Sequence, residues 1–175
     1  MNIFVTSPDP HTCALALDDL RLNKMIVESC QILSTALHLS GRGSPELYKP
    51  AYIRHPVVLW TARDARHYTW LVHHLEALFE ERAFRFGSSE HRSLRLLPFL
   101  TQYAENLMAP EAFVNCIPYK DAPSVYLAYQ MALKDKWRQD RRSPTWSKRG
   151  PPNFCCTPSD DQLTILAHGP RASPP

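Results

Sequence analysis

Glycine is scarce in this chain, five residues of 175 against sixteen prolines. Tight hairpin turns depend on glycine for positive φ, so this composition argues against a hairpin-rich sheet protein. It fits helices joined by stiff loops. No apolar run approaches the roughly 20 residues that a membrane-spanning helix needs. The opening "MNIFVTSPDP" has neither a basic region nor a long apolar stretch and does not read as a secretory signal. The five cysteines are scattered without a CxxC pair, which suits reduced thiols in a cytosolic compartment. Cys155 and Cys156 are adjacent and cannot close an ordinary strain-free disulfide with each other. A phosphate-binding glycine loop and a GxSxG elbow are both missing, which removes support for NTPase and serine-hydrolase readings. His67, His73 and His74 share one stretch, but no carboxylate or cysteine completes a known ligand spacing, so no metal is expected.

What is present suits one domain over residues 1–154, with a flexible Pro/Ser-rich tail over 155–175. The formal net charge is only +3, but it is unevenly spread. Between Lys134 and Arg149 there are seven Lys/Arg and two Asp, a local +5 that leaves about −2 for the rest. A basic C-terminal segment on a near-neutral body is the electrostatic footprint of a phosphate-binding surface, although a solvated helix face would read the same way.

Periodicity predicts an all-α fold, a bundle of about four to five helices with an extended C-terminal segment. "NIFVT" is short and β-like. Asp9 caps a helix over about 10–17, with Pro10 at its first position. A longer helix spans about 19–39, with Leu22, Ile26, Cys30, Leu33 and Leu37 as its core stripe. Cys30 therefore reads as packing rather than as a nucleophile. The stretch from Pro56 to Phe86 reads as one helix closed by Gly87, with Leu59, Ala62, Tyr68, Leu71, Leu75, Leu78 and Phe79 as candidate buried residues. Further helices are predicted over about 90–106 and 123–141. Asp121 or Ala122 would precede the last one, and Val125, Leu127, Tyr129, Ala132, Leu133 and Trp137 would pack it.

The polar side of the 19–39 helix raises the functional question. Arg21, Lys24 and Glu28, followed by Gln31 and Thr35, form a stripe roughly opposite the apolar one. By spacing alone this is a solvated face with a Lys24–Glu28 pair, or the floor of a site.

Three separated segments resemble one family, the pyrimidine-dimer DNA glycosylases typified by endonuclease V of the T-even phages, together with their bacterial relatives. "LDDLRLNKMIVESCQIL" resembles the helix that carries the family's catalytic glutamate, with Glu28 on that position, Arg21 on a basic position and Asp19 on the family's aspartate. "YIRHPVVLW" resembles the RNHP loop of the bacterial relatives through Arg54, His55 and Pro56. "AYQMALKDKWRQDRRSPTWSKRG" resembles the C-terminal helix and the segment after it through Pro144, Thr145, Trp146 and Lys148. The resemblance implies a DNA glycosylase with AP-lyase activity. It would act on double-stranded DNA as a monomer, in the cytoplasm of a bacterial or phage-infected cell, and need no metal or organic cofactor. The nucleophile would be the chain's first amine, on Met1 or Asn2. An α-amine has an ordinary pKa of about 7.7–8, so a useful fraction is neutral near pH 7. Glu28 would stabilise the sugar cation and handle protons. Arg21, Lys24, Arg54, His55, Trp146, Lys148 and Arg149 would contact DNA around an extruded nucleotide. His55 could equally serve as a helix cap, and Trp146 could simply pin the last segment to the core.

The sequence departs from the dimer-specific members at Val27, where they carry Arg, and at Asn2, where they expose Thr. It also lacks the dense tyrosines that follow their Trp. The substrate stays open between a cyclobutane dimer, another damaged pyrimidine and a modified phage base. A non-catalytic DNA-binding module on the same scaffold and a helical accessory protein are the alternatives.

Overall fold

The computed structural model describes residues 1–88 and 90–155. The expected tail lies outside these residues, apart from Cys155. Six α-helices are present among the described residues and no strand. They are α1 (Pro10–Ala16), α2 (Asp19–Leu39), α3 (Pro56–Arg63), α4 (Ala65–Phe86), α5 (Leu97–Thr101) and α6 (Val125–Gln139). Short 3₁₀ turns cover Arg92–Leu96 and Asn153–Cys155.

The local rules place most helix ends. Asp9 caps α1 by accepting the Thr12 backbone N–H at 2.7 Å, and Pro10 occupies the first turn, where its missing N–H costs no hydrogen bond. Gly87 ends α4 in the left-handed region at φ 70°, a conformation that glycine adopts without a Cβ penalty.

Three expectations need correction. The stretch from Pro56 to Phe86 is two helices. Asp64 is extended (φ −145°, ψ 137°) and its carboxylate caps α4 through the Arg66 N–H. Apolar spacing ran on through the break because both helices bury residues against the same core, although Leu59 is 51% exposed. The 90–106 helix contracts to a 3₁₀ turn and the five residues of α5, with Pro98 in its first turn. A proline within a predicted helix removes a hydrogen bond and favours a new start there. The "NIFVT" segment is buried but forms no strand; Ile3 and Val5 have no exposure.

Helices α2 and α4 form the centre. Helices α1 and α3 pack against α4, α3 also packs against α2, and the Arg92–Leu96 turn and α5 close over both central helices. The predicted α2 stripe is fully buried apart from 2% exposure at Leu37, but burial spreads much further, to Met25, Ser29, Ile32, Ser34, Thr35 and Arg21. Only Leu20, Lys24 and Val27, and Leu39 at the C-terminal end, stay open on α2. Helix α6 is tied to the N-terminal segment. Tyr129 meets Phe4 edge-on at 6.3 Å, and Gln130 donates to the Thr6 carbonyl at 3.0 Å. Ser124 caps α6 rather than Asp121 or Ala122.

Candidate active site

The first residues of the chain turn back onto α2. Asn2 Oδ1 accepts from the backbone N–H groups of both Ile3 (2.7 Å) and Phe4 (3.0 Å), and Phe4 sits at a positive φ of 41°. A short polar side chain that captures the next backbone donors is how such a turn is held when no glycine is present. The turn aims the Asn2 backbone nitrogen at α2, where it donates to Glu28 Oε2 at 3.0 Å. The other oxygen, Oε1, lies 3.3 Å from Lys24 Nζ. The Lys24 side chain is 67% exposed, so water weakens the pair; the Glu28 side chain is 20% exposed. Glu28 is thus sheltered, reachable, and held on one side by the amino-terminal segment.

Around it opens a cavity of about 390 Å³ lined by Met1, Asn2, Phe4, Leu20, Arg21, Lys24, Glu28, Lys136 and Asp140. His55, outside that lining, lies within electrostatic range of Glu28 and the amino terminus. It caps α3 by accepting the Val57 N–H on Nδ1 at 3.2 Å. Burial first, and then the positive amino terminus, lower its pKa below the ordinary value, while Glu28 opposes them. His55 therefore senses both the amino terminus and the Glu28 carboxylate.

The other DNA-contact candidates divide sharply. Arg21 is 7% exposed. Its guanidinium bridges Asp18 (3.0 Å) and Asp140 (2.8 Å), tying the start of α2 to the end of α6. Asp18, which also accepts from Trp137 Nε1 at 2.8 Å, makes no side-chain capping bond to α2. Trp146 packs edge-on against Trp137 at 5.1 Å and donates to the Ala16 carbonyl at 3.2 Å. Arg149 pairs with Glu81 at 2.7 Å and lies over the Phe84 ring, and Lys148 donates to the Phe84 carbonyl at 2.8 Å. Trp146 and Arg149 thus bind the C-terminal segment to the body. Lys24 and Arg54 are exposed, with Lys24 on the cavity. Spacing along the chain did not single out Lys136, Arg141 and Arg142. Lys136 lines the cavity, and the two arginines line a neighbouring hollow that shares Leu20 and Asp140 with it. The +5 segment signalled them only collectively.

Asp19 sits nine residues before Glu28 on α2. It accepts from Ser147 Oγ (2.7 Å), Thr145 Oγ1 (2.9 Å), the Ser147 N–H (3.1 Å) and Arg85 (3.1 Å). Burial alone would raise its pKa, but the bonds from Ser147, Thr145 and Arg85 outweigh burial and hold it below the ordinary value. No group of three His, Cys, Asp or Glu able to hold a metal occurs among the described residues. His67 stacks on Trp60 at 4.2 Å, His73 is exposed, and His74 is fully buried. Burial pushes the Cys30 thiol up to about 12, which makes it a poor nucleophile. No described helix is long and apolar enough to cross a membrane.

A family model described as pyrimidine dimer DNA glycosylase matches residues 1–96. This chain belongs to the pyrimidine dimer DNA glycosylase family. The matched stretch of this family contains Met1, Asn2, Glu28, Arg54 and His55, and stops before the Trp146 segment. No curated protein and no solved structure matches the chain. Family membership implies glycosylase activity and a DNA substrate for this protein.

Proposed function

We propose that this glycosylase family member excises a damaged or modified base from double-stranded DNA through its amino-terminal amine, with Glu28 as the assisting carboxylate, and then cleaves the strand as an AP lyase. The observation that carries the reading is the 3.0 Å contact between the second residue's nitrogen and Glu28 Oε2. A sheltered carboxylate held against the start of the chain is what amine catalysis at a sugar requires.

The amine nitrogen bonds to C1′ as the glycosidic bond breaks. The base leaves with the bonding pair and is protonated, and the amine gives up its proton to Glu28. As the C1′–base bond lengthens, positive charge builds on the sugar, and the Glu28 carboxylate stabilises it. The C1′–O4′ bond then breaks as the nitrogen lone pair forms the imine, and O4′ takes the bonding pair and the proton that Glu28 had accepted. Loss of a C2′ proton then expels the 3′ phosphate. Where Met1 is retained, the amine is that of Met1. If Met1 is excised, the nitrogen already held by Glu28 becomes the amine. In either form the Asn2 side chain fixes the turn that delivers it.

Lys24, Arg54, Lys136, Arg141 and Arg142 are exposed cations that suit phosphates along the duplex. Buried Arg21 positions Asp140 and the cavity wall. Val27, 45% exposed beside Glu28, offers an apolar contact where dimer-specific relatives carry a cation. This favours an uncharged substrate feature over a flanking phosphate.

The test is reductive trapping. Untagged protein is incubated with abasic, lesion-bearing and modified-base duplexes, borohydride is added, and the adducted residue is identified by mass spectrometry. A covalent adduct on residue 1 or 2 that disappears with Glu28→Gln is expected. Salt-dependent binding that survives both Glu28→Gln and an N-terminal extension, with no adduct on any substrate, would instead mark a non-catalytic binding module.

A further inference from the structure

Beside the Glu28 cavity, the loop that leads into α3 carries an unusual tip. Tyr52 is 69% exposed and Ile53 48% exposed, side by side. Tyr52 adopts φ 53°, a left-handed conformation that bulky residues rarely occupy. Its ring makes no hydrogen bond or ring contact among the described residues. An aromatic and a branched aliphatic side chain are thus held in water on a strained backbone, and no packing in the fold accounts for them.

The loop is anchored on both sides of this tip. Before it, Gln31 donates to the Lys49 carbonyl at 2.9 Å, and Thr35 Oγ1 accepts the Ala51 N–H at 3.2 Å. Gln31 and Thr35 lie three and seven residues after Glu28, about one and two helical turns along α2. After the tip, the His55 N–H donates to the Tyr52 carbonyl at 2.8 Å, and His55 caps α3 while sensing Glu28 and the amino terminus. The tip is therefore held by side chains of the helix that carries Glu28, one to two turns beyond that residue. Lys49 and Arg54, both exposed, flank it in sequence. An apolar point between two cations matches a base stack between two phosphate backbones.

We propose that Tyr52 and Ile53 form a wedge that enters the base stack next to the target nucleotide and holds the duplex open over the Glu28 cavity. This rests on reading that cavity as a glycosylase site. Attack at C1′ by a sheltered amine needs the duplex opened at the target, and a side chain in the stack keeps it open. Tyr52 stacks on the neighbouring base, Ile53 separates the pair, and Arg54 and Lys49 hold the strands. Both are positioning residues that leave the chemistry itself to the amine and Glu28.

The test compares wild type with Tyr52→Gly/Ile53→Ser. Glycine relieves the positive φ, so this variant keeps the fold, and its melting temperature checks that. One readout is 2-aminopurine fluorescence in a duplex with the probe next to an abasic site. The other is borohydride adduct yield on the same abasic strand, single-stranded or in duplex. Wild type raises the fluorescence and the variant does not. Adduct formation on duplex falls about tenfold in the variant, the scale of one lost stacking contact, while that on the single strand is unchanged. Tyr52→Trp restores both readouts. Fluorescence that rises equally in wild type and variant overturns the wedge, and so does equal loss of adduct on both DNA forms. If wild type gives no adduct on either form, the glycosylase reading fails. The fluorescence then decides the wedge alone: a rise only in wild type supports it, and a flat signal overturns it.

Discussion

Helix α2 carries two carboxylates nine residues apart with opposite surroundings. Asp19 accepts from Ser147, Thr145 and Arg85. Nearby Glu81, 3% exposed, binds Arg85 at 2.6 Å and Arg149 at 2.7 Å. Together these groups clamp the Thr145–Arg149 segment onto α2 and α4. Glu28 has one backbone donor and one exposed lysine. A carboxylate whose lone pairs are all occupied by fixed donors is a fastener, because any new partner must displace one. A sheltered carboxylate with spare capacity can take a proton or face a developing cation. On the proposed function, the same residue type on one helix is divided between structure and chemistry.

The comparison can be broken at either end. Glu81→Ala should have the largest effect, about 4 kcal/mol of stability by urea unfolding. It leaves the fully buried Arg85 without its closest counter-charge. Adduct yield per folded molecule should stay near wild type, and a selective loss of trapping in folded protein would break the division. Glu28→Gln should do the reverse, lowering the trapping rate on abasic duplex about 10²–10³-fold with a melting temperature within about 2 °C of wild type, the shift of a sub-kcal/mol change. A melting temperature far below that would make Glu28 a fastener too.

Acid separates the clamp from the interior. His74 donates from Nδ1 to the Pro10 carbonyl at 2.9 Å, while its Nε2 has no partner among the described residues. Complete burial pushes its pKa down to about 4. The unfolded chain takes up this proton first as pH falls below about 6.5, the ordinary histidine value. Stability is therefore full above that pH and declines by up to about 3 kcal/mol as pH approaches 4. Asp19 and Glu81 are held below ordinary carboxylate values, so their contribution is present above pH ~4 and is lost only in stronger acid. His74→Phe should flatten the upper part of the urea-measured profile and leave the lower part. The smallest effect belongs to Lys24→Ala. Its exposed pair with Glu28 should contribute no more than about 0.5 kcal/mol to stability, while the salt slope of duplex binding should fall by about one.

Much of the frame was readable along the chain. Asp9–Pro10 and Gly87 mark helix ends through contacts within a few residues, and the α2 core stripe follows from 3.6-residue periodicity. The Asp64 break was harder to read, because apolar spacing continues across it and only the capping aspartate betrays it. At the site, Glu28 and Lys24 were legible as neighbours on one helix face. Arg21 occupies the same face by spacing, yet it is buried because Asp140, 119 residues away, closes over it. Trp146 was open between a DNA contact and an anchor, and it and Arg149 are fixed by Trp137, Ala16 and Glu81, partners that spacing along the chain does not name.

The sequence by itself determined the all-helical class, both ends of α2, the C-terminal end of α4 and the presence of a carboxylate beyond a cation on α2. These depend on backbone propensity, capping and spacing, which act within a few residues. Only the tertiary structure decided which charges remain available. Whether Arg21, Asp19 and Arg149 meet partners or solvent depends on segments more than a hundred residues distant from α2 or brought against α4. The meeting of the Asn2 nitrogen with Glu28 arises in the same way. A turn at Phe4 and the packing of Ile3 and Val5 into the core bring the start of the chain to a carboxylate 26 residues away.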